Sequence, residues 1–548
     1  MTLLLNWIIS LLLVAAVIHL VIHWLFYLIA CTSVALRTDR KSSRVSTITL
    51  SIVVLVVLIL YNGVLYSIVF SHVNWSNLFT SQPLATSIAD SRFLLIMTIE
   101  PFVFIILTLF KCICAFIHLV RSHSDASIMM KLSLDSQDRG RQVPDVVILM
   151  PVYNESVERL TQTLDSIVES TYPKSKMRLI VSCDDDRITP AFVSLFHLIS
   201  QADHPPQNSI VWGSYRGLRV DLARFDHGGK RHAQMCAFLY LQQLLRDQIE
   251  KPFLLLLDSD VVLDRFAIAH FVHAMVDRPF CEALTGLITI GSTGFLSHVQ
   301  NCEYIDSQML HRGTESLLGG VSCLPGALAM IRFESLRLVS REYFAQSPAI
   351  DSINFAKRSL GEDRYLTSLL LESDQRSHRI AFLPAARCLT PGCLSFIDLM
   401  KQRRRWFLGT ISNEVAMLTS WKLWRCVPGL QIIQMLLSIR NAPLFFYLVT
   451  FELIQSGSLD YVWLIVAAIG GVYIPIWIVV AYVTVTIRSS LKTIFMFPIY
   501  AVLMPVLSIL FELYGILSCR QRTWGGPRMQ TVSGPDHLDL TEDLSDIL

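Results

Sequence analysis

The chain has 548 residues, of which 53% are hydrophobic and only 16% charged, and its formal net charge is +2. Its mean hydropathy of +0.49 is too high for a soluble protein of this length, so we expect several membrane spans beside one or two soluble domains. The small net charge gives no indication of a nucleic-acid partner. The twelve cysteines show no CxxC pair or other metal-type spacing, which argues against a structural zinc site.

Three long apolar runs open the sequence, at about residues 3–30, 47–70 and 92–120. Each run exceeds the roughly 20 residues that a helix needs to cross a bilayer. We therefore predict three transmembrane helices within residues 1–120, followed by a polar linker at 121–144.

The distribution of basic residues predicts the orientation of these helices. The segment RTDRKSS between the first two runs is basic, whereas the segment between the second and third has no Lys or Arg. Because basic loops stay on the cytoplasmic side, residues 31–46 and everything after about 120 are predicted to be cytosolic, with 71–91 outside. Asn74 begins an Asn-Trp-Ser triplet on the outer side, so it is a candidate glycosylation site and the chain a candidate glycoprotein.

Residues 145–400 show a different pattern, in which short β-like runs alternate with segments of helical length. The runs include VVILMPV, LIVSCDD, FLLLLDSD and EALTGLITI. Such alternation is typical of an α/β domain with a largely parallel sheet. The active site of such a domain is expected at the carboxyl ends of the strands.

The remainder of the chain turns apolar again. Residues 401–428 are amphipathic and predict interfacial helices along the membrane, and 429–520 contain further apolar runs that predict C-terminal transmembrane helices. Three complete spans would place the following basic segment, CRQRTWGGPR, outside, against the charge rule. We therefore expect the last run, 493–517, to break near Pro505 into a short hairpin that returns the tail, 521–548, to the cytosol.

Four short polar motifs follow predicted strands of the α/β domain. They are PVYNES at 151–156, SCDDD at 182–186, HGGKR at 227–231 and LLLLDSD at 254–260. Lys230 can place a positive charge on a phosphate, while the two preceding glycines allow close approach of the backbone. A solvated turn lysine is the alternative interpretation of Lys230 taken alone.

The LLLLDSD motif places two carboxylates at the end of a buried strand. Asp258 and Asp260 should project from the same face, because strand side chains alternate. Two carboxylates held together repel each other unless a cation lies between them. Mg²⁺ or Mn²⁺ bridging the pyrophosphate of a nucleotide would supply that cation.

The segment GEDRYLT places Glu362 and Asp363 at the start of a predicted helix. Acids at a helix N-terminus commonly complement the helix dipole. An enzyme that transfers a sugar from an activated donor, however, needs a carboxylate as base for the acceptor hydroxyl. The segment KQRRRW at 401–406 has two interpretations as well, since basic residues and Trp near a membrane also form cytoplasmic anchors.

The order of these motifs resembles the family 2 processive glycosyltransferases, the membrane-embedded synthases of chitin, hyaluronan and cellulose. The resemblance runs from about residue 145 to 410 and resumes at the C-terminus. It implies a GT-A domain, a UDP-sugar donor and a growing polysaccharide as acceptor. The residues that it implies for UDP binding are Pro151, Tyr153, Glu155, Asp184, Asp186, Lys230, Arg231, Asp258, Gln402, Arg405 and Trp406.

The same resemblance implies the other site residues. Asp258 and Asp260 would bind Mg²⁺ or Mn²⁺, and the pair of Glu362 and Asp363 would supply the catalytic base. The residues implied for acceptor binding are Pro325, Gly326 and Trp406.

Within the family, the segments QNCEY (300–304), SCLPGALAMIR (322–332) and QRRRW are most similar to chitin synthases. TWGGPR resembles their terminal S-W-G-T-R, whereas HGGKRHAQ is also close to the loop of hyaluronan synthases. Chitin synthases of fungi are usually much longer. The resemblance implies an inverting, processive enzyme that polymerises N-acetylglucosamine from UDP-N-acetylglucosamine into β-1,4-linked chitin and exports it.

Three alternatives remain open. The product could be hyaluronan, for which a glucuronate donor would want a further cation such as Arg231 or Lys401, or a β-glucan. A nucleotide-regulated membrane transporter is the alternative from another class, and the Glu-Asp and Q-x-x-R-W motifs argue against it. We expect a multi-pass protein of the plasma membrane that contacts the lipid bilayer and has its catalytic domain in the cytosol. Whether it forms a homo-oligomer is left open.

Overall fold

The computed structural model describes most of the chain from residue 143 to 521. The described ranges are 143–185, 188–200, 210–246, 248, 250–345, 352–373, 379–437 and 459–521, preceded by 7, 10, 14, 25–34, 45–57, 59–60, 75–77, 80 and 102–121. Predictions for Asn74, for Asp186 and for the tail beyond 521, which contains TWGGPR, lie outside the described residues.

A nine-stranded mixed sheet forms the α/β domain, with the strand order β3-β4-β2-β1-β5-β8-β7-β9-β6. Neighbouring strands are parallel across β4-β2-β1-β5 and between β7 and β9, and antiparallel elsewhere. The strands are β1 (Val146–Val152), β2 (Met177–Asp184), β3 (Val211–Tyr215), β4 (Leu218–Phe225), β5 (Phe253–Leu257), β6 (Val262–Leu263), β7 (Cys281–Ile290), β8 (Leu328–Arg332) and β9 (Arg379–Thr390). The predicted α/β class is confirmed.

The central strands are apolar throughout because helices cover both faces of the sheet. All five residues of β5 are buried, and so are six of the seven residues of β1. The helices of this domain are α4 (Val157–Val168), α5 (Pro190–Ile199), α6 (Lys230–Leu244), α7 (Ala267–Asp277), α8 (Phe295–Ile305), α9 (Gly313–Leu317), α10 (Phe333–Phe344), α11 (Ser352–Phe355) and α12 (Glu362–Glu372). π-Helical turns at Asp306–Arg312 and Ala356–Leu360 precede α9 and α12.

The helices that precede and follow this domain in the sequence include the candidate membrane spans. Among the described residues, three helices are long and apolar enough to cross a bilayer: Phe102–Arg121, Ile469–Thr486 and Lys492–Leu517. The chain is therefore a membrane protein. With two shorter apolar helices before them, the flanking helices are α1 (Leu25–Val34), α2 (Val45–Val57), α3 (Phe102–Arg121), α13 (Phe396–Leu418), α14 (Trp421–Cys426), α15 (Pro428–Leu437), α16 (Leu459–Thr486) and α17 (Lys492–Leu517).

The expected break near Pro505 is wrong, because α17 continues through both Pro498 and Pro505 for 26 residues. Proline removes one backbone donor and leaves the carbonyl four residues earlier without its helical partner, a loss that a helix packed among other apolar helices tolerates. At its start, Thr493 accepts a hydrogen bond from Asn301 of α8 at 3.4 Å, and just beyond its end Ser518 accepts one from Arg404 of α13 at 2.6 Å.

Helix α13 begins five residues before the predicted interfacial segment and is largely buried. Ser395 accepts a hydrogen bond from the backbone N–H of Asp398 at 3.1 Å and so caps its first turn. At the other end, Glu414 accepts a hydrogen bond from Tyr27 of α1 at 2.7 Å. The helix that carries QRRRW is therefore enclosed between the α/β domain and helices from both ends of the chain.

Candidate active site

Asp184, at the end of β2, organises the glycine-lysine loop. One of its carboxylate oxygens accepts the N–H of Gly228 at 2.8 Å, and the other accepts that of Gly229 at 3.0 Å and lies 3.0 Å from Nδ1 of His227. Gly229 has a φ of +86°, which favours glycine, and it stands directly before α6. The predicted UDP-binding carboxylate therefore acts here on the backbone of the loop that presents Lys230.

The end of β1 supplies an aromatic surface beside this loop. Tyr153, two residues after Pro151, stacks on His227 with ring centroids 4.8 Å apart. Glu155 is buried and accepts the backbone N–H of Ser156 at 3.1 Å, so it is part of the start of α4. Of the three predicted positions in PVYNES, Tyr153 is the side chain that the structure brings next to the glycine loop.

The ammonium group of Lys230 is the meeting point of the predicted motifs. Its Nζ lies 2.7 Å from Oδ1 of Asp258 and 3.5 Å from Oε1 of Glu362. Burial lowers the pKa of Lys230, but the two carboxylates outweigh burial and raise that pKa above its usual value. A Cβ added at Gly326 would stand 2.6 Å from the same Nζ, so the bare backbone of the SCLPG segment makes room for the lysine.

Asp363 faces the SCLPG segment. The thiol of Cys323 donates to its Oδ2 at 3.1 Å, and the backbone N–H of Arg364 donates to its Oδ1 at 2.8 Å. Burial and the adjacent carboxylate raise the pKa of the Cys323 thiol, so the thiol keeps its proton and stays a donor. Both carboxylate oxygens of Asp363 are thus oriented by named donors.

Glu362 is buried between two cations. Burial raises the pKa of its carboxyl, the Lys230 ammonium opposes that rise, Asp363 adds to it and the Arg405 guanidinium opposes it. Glu362 therefore links the lysine of the glycine loop with the arginine of QRRRW, whereas Asp363 next to it contacts Cys323 of the SCLPG segment.

Beneath the SCLPG segment lies a buried polar network that sequence reasoning missed. The carboxylate of Glu315 accepts the backbone N–H and the hydroxyl of Ser322, each at 2.9 Å, and the side-chain amide of Gln434 from α15. Arg364 donates to the Ser322 hydroxyl at 3.3 Å.

The spacing of Q-x-x-R-W follows from the helix that carries it. Gln402, Arg405 and Trp406 stand at i, i+3 and i+4 on α13 and therefore share one face. The same face continues to Gly409, where a Cβ would stand 2.8 Å from the Cα of Gly361, and to Asn413, whose amide donates to the Gly361 carbonyl at 3.1 Å. This contact fixes the start of α12, with Glu362 and Asp363, against α13.

Two arginines of QRRRW, Arg403 and Arg404, bind other parts of the protein through their guanidinium groups. Arg404 is buried and donates to the hydroxyl and carbonyl of Ser518, at 2.6 and 2.7 Å, and to the carbonyl of Gln521 at 2.8 Å. Arg403 forms an ion pair of 2.5 Å with Glu303 of the QNCEY motif. Both are buried inside the protein, which differs from the surface anchor that basic residues near a membrane otherwise form.

Arg231 does not join Lys230, although both were predicted to bind UDP. Its guanidinium donates to the carbonyls of Arg358 and Ala345 at 3.0 and 2.9 Å and lies over the ring of Tyr343 at 5.6 Å. Burial lowers the pKa of this arginine. Its contacts link the end of α10 to the π-helical turn before α12, and its role in UDP binding stays a prediction.

Asp258 and Asp260 are the candidate metal ligands. β5 ends at Leu257, so Asp258 and Asp260 lie in the connection that follows the strand and do not alternate along the strand as the sequence pattern predicted. Burial, together with the carboxylates of Asp258 and Asp260, raises the pKa of the Cys388 thiol on β9. Within the described residues, no group of three or more metal-ligating side chains converges. Mg²⁺ typically takes one or two protein carboxylates and completes its shell with substrate phosphates and water, so this donor pair fits a cation that binds together with a nucleotide.

Comparison with known proteins gives consistent similarities. Residues 244–544 match a family model described as chitin synthase. Chitin synthase D of Aspergillus fumigatus is 34% identical over 421 residues, which cover 73% of this chain and 55% of that protein. Chitin synthase VI of Metarhizium acridum is 32% identical over 458 residues, which cover 80% of this chain and 70% of that protein. The chain thus spans about half to two thirds of the length of these curated relatives.

Among solved structures, a mannosyltransferase of Pyrobaculum calidifontis in complex with GDP-Man and Mn²⁺ aligns over 75% of this chain and 98% of its own. The sequence identity is 15% and the TM-score 0.38.

Proposed function

Because the chain belongs to the chitin synthase family, we propose that it transfers N-acetylglucosamine from UDP-N-acetylglucosamine to the end of a growing β-1,4-linked chitin chain. Its α/β domain is then the GT-A glycosyltransferase domain. The proposal rests on one observation: four separate chain segments meet at Lys230. They are the glycine loop that contains Lys230, the strand end with Asp258, the SCLPG segment and the pair of Glu362 and Asp363.

The donor nucleotide is proposed to bind along the carboxyl ends of β1, β2 and β5. Tyr153 and His227 offer an aromatic surface for the base, and Lys230 can exchange a carboxylate partner for diphosphate oxygens. A bound Mg²⁺ or Mn²⁺, with Asp258 and Asp260 as its protein ligands, would add positive charge at the diphosphate.

The proposed chemical step uses Asp363 as the general base. Asp363 takes the proton of the acceptor hydroxyl, the oxygen attacks the anomeric carbon with inversion, and the bond to UDP breaks so that UDP leaves with the electron pair. The donors from Cys323 and Arg364 hold the carboxylate in one orientation during this transfer. Lys230 and Arg405 offset the negative charge that develops on the leaving diphosphate.

The contacts of Arg231 favour a single neutral donor over a glucuronate donor. Hyaluronan synthesis would bring a carboxylate into the pocket, and burying it without a cation would be strongly unfavourable. Arg231, a cation that could serve it, is bonded to the carbonyls of Arg358 and Ala345. This argues against Arg231 serving a glucuronate donor, and the preference for chitin over a β-glucan rests on the family membership.

We also propose how the protein lies in the membrane. The protein is located in the plasma membrane with its α/β domain in the cytosol. The lengthening polymer passes outward between the membrane helices. The buried contact of Arg404 with Ser518 supports the tail beyond residue 521 lying on the side of the α/β domain.

A donor panel tests the proposed function. The purified full-length protein in detergent, with Mg²⁺ or Mn²⁺, should release UDP from UDP-N-acetylglucosamine alone. Release only from UDP-glucose would indicate a glucan synthase, and release that requires added UDP-glucuronate would indicate hyaluronan. Nucleotide binding without turnover of any donor would favour the transporter hypothesis.

A further inference from the structure

Two motifs that lie 100 residues apart meet in a buried ion pair. Arg403 of QRRRW donates through Nη2 to Oε2 of Glu303 in QNCEY at 2.5 Å. The side chain of Arg403 is 5% exposed and that of Glu303 20%, so the pair is shielded from water. Neither residue was assigned a role in the site, and both stand beside residues that were.

The pair fixes the orientation of Gln402. Arg403 donates through Nη1 to Oε1 of Gln402 at 2.6 Å. A guanidinium can only donate, so the carbonyl oxygen of the amide must face Arg403 and the amide nitrogen must point away from it. An amide nitrogen presented in this way is a donor for oxygens of a sugar or a diphosphate.

The pair also covers one face of Trp406. The central carbon of the Arg403 guanidinium lies 4.0 Å from the centre of the indole ring, and the ring of Tyr304 lies 5.8 Å away at a tilt of 51°. Arg403 and Trp406 are i and i+3 on α13, which brings their side chains together. A half-buried indole with one face on a guanidinium and Tyr304 beside it has a fixed plane for stacking on a sugar.

The position of the Arg403 guanidinium depends on the negative charge of Glu303. Burial lowers the pKa of the Arg403 guanidinium, whereas Glu303 and Tyr304 beside it raise that pKa above its usual value. Without the carboxylate, Arg403 would be an uncompensated buried cation, which is strongly unfavourable. The guanidinium would then move toward water and leave both Gln402 and the face of Trp406.

We propose that Glu303 and Arg403 are positioning residues that hold the amide of Gln402 and the indole plane of Trp406 for the acceptor end of the polysaccharide. This inference rests on the proposed function, since it assigns the acceptor as a β-1,4-linked N-acetylglucosamine chain. The inference assigns Gln402 and Trp406 to the acceptor rather than to UDP, for which the sequence resemblance also implied them. Loss of the pair should therefore weaken acceptor binding and elongation while donor binding stays intact, because the contacts of Lys230 with Asp258 and Glu362 do not involve the pair.

The test compares Glu303→Gln and Arg403→Lys with Asp221→Asn in the full-length protein. Lysine keeps the charge of Arg403 but has no planar fork to bridge Glu303 and Gln402. Asp221→Asn is a matched control, since it removes the charge from another buried carboxylate paired with an arginine, Arg178 at 2.8 Å. Glu303→Asp keeps the charge and is the conservative variant.

Two measurements separate positioning from folding and from the proposed function. Calorimetry measures binding of a tetramer of β-1,4-linked N-acetylglucosamine and of UDP, and radiolabelled donor measures chain length and UDP released per sugar incorporated. We expect Glu303→Gln and Arg403→Lys to bind the tetramer at least about tenfold more weakly and to make shorter chains, with UDP affinity unchanged. Glu303→Asp should be intermediate, and Asp221→Asn should lose thermal stability but match wild type in tetramer binding, chain length and UDP affinity.

The inference is overturned if Glu303→Gln binds the tetramer and elongates like wild type, or if UDP affinity and thermal stability fall in the same proportion as elongation. It is also overturned if wild-type protein does not bind the tetramer. Wild-type protein that binds the tetramer but makes no polymer from UDP-N-acetylglucosamine would instead contradict the proposed function alone.

Discussion

Gly361 and Gly409 touch backbone to backbone: a Cβ added to Gly409 would stand 2.8 Å from the Cα of Gly361 and 3.0 Å from the carbonyl carbon of Leu360. Gly361 directly precedes Glu362 and Asp363, and Gly409 lies one helical turn after Arg405 on α13. The close approach thus sets the distance between the proposed base and the QRRRW face.

Gly409→Ala should therefore displace the start of α12 and lower turnover. The contact leaves no room for the added Cβ, so α13 or the start of α12, which carries Asp363, must shift, and a displacement of about 1 Å costs roughly a hundredfold in rate. Turnover and thermal unfolding should be measured together. Gly470→Ala is the control, because its Cβ would meet only a side-chain carbon of Ile474 at 3.4 Å. Equal turnover of the two variants would contradict the role of this contact.

Asp363→Asn should abolish polymer synthesis while UDP still binds. The amide keeps the shape of the side chain but cannot take the proton of the acceptor hydroxyl, and loss of a general base typically costs about 10²- to 10⁴-fold. Single-turnover kinetics and UDP titration check both parts. Glu334→Gln, which removes an exposed carboxylate paired with Arg337, should leave turnover unchanged. A rate near wild type in Asp363→Asn would mean that the base lies elsewhere.

Asp260→Ala should remove activity together with its dependence on a divalent cation. Chelation with EDTA should have the same effect on the unmodified protein, and added Mg²⁺ or Mn²⁺ should restore only the latter. Donor turnover against metal concentration is the measurement. If chelation leaves synthesis intact, the metal role of Asp258 and Asp260 is incorrect.

A reporter fused after residue 548 should be cytosolic, and a reporter inserted within 72–91 should be external. The physical basis for the first is the buried contact of Arg404 with the carbonyls of Ser518 and Gln521, which holds the end of α17 against α13, the helix that directly follows the α/β domain. Compartment-specific labelling of the two fusions in intact cells distinguishes them. An external C-terminal reporter would contradict the cytosolic placement of the tail.

The strand-end motifs were predictable from sequence because they depend on local pattern. An apolar run followed by acids, as in LLLLDSD, specifies both a buried strand and the side chains at its end. The helical spacing of Gln402, Arg405 and Trp406 likewise specifies a shared face. These features need no knowledge of distant contacts.

The rest depended on contacts between distant segments. Asp184 ends β2, whereas Gly228 and Gly229 follow β4. The sequence around Asp184 therefore could not show that its carboxylate binds the backbone of these two glycines. The partner of Arg403 is 100 residues away, and nothing in QRRRW itself distinguishes it from a surface anchor. The prediction of a break near Pro505 was wrong because it considered the cost of a proline in an isolated helix. Neighbouring helices stabilise α17 in the folded protein.

The identity of the polymer made from a single donor decides whether the protein makes chitin. Purified full-length protein should be incubated with radiolabelled UDP-N-acetylglucosamine alone and Mg²⁺ or Mn²⁺, and the polymer treated with chitinase or hyaluronidase. The account predicts an insoluble polymer that chitinase digests and hyaluronidase does not. A polymer that appears only with UDP-glucuronate, or one that resists chitinase, would contradict it.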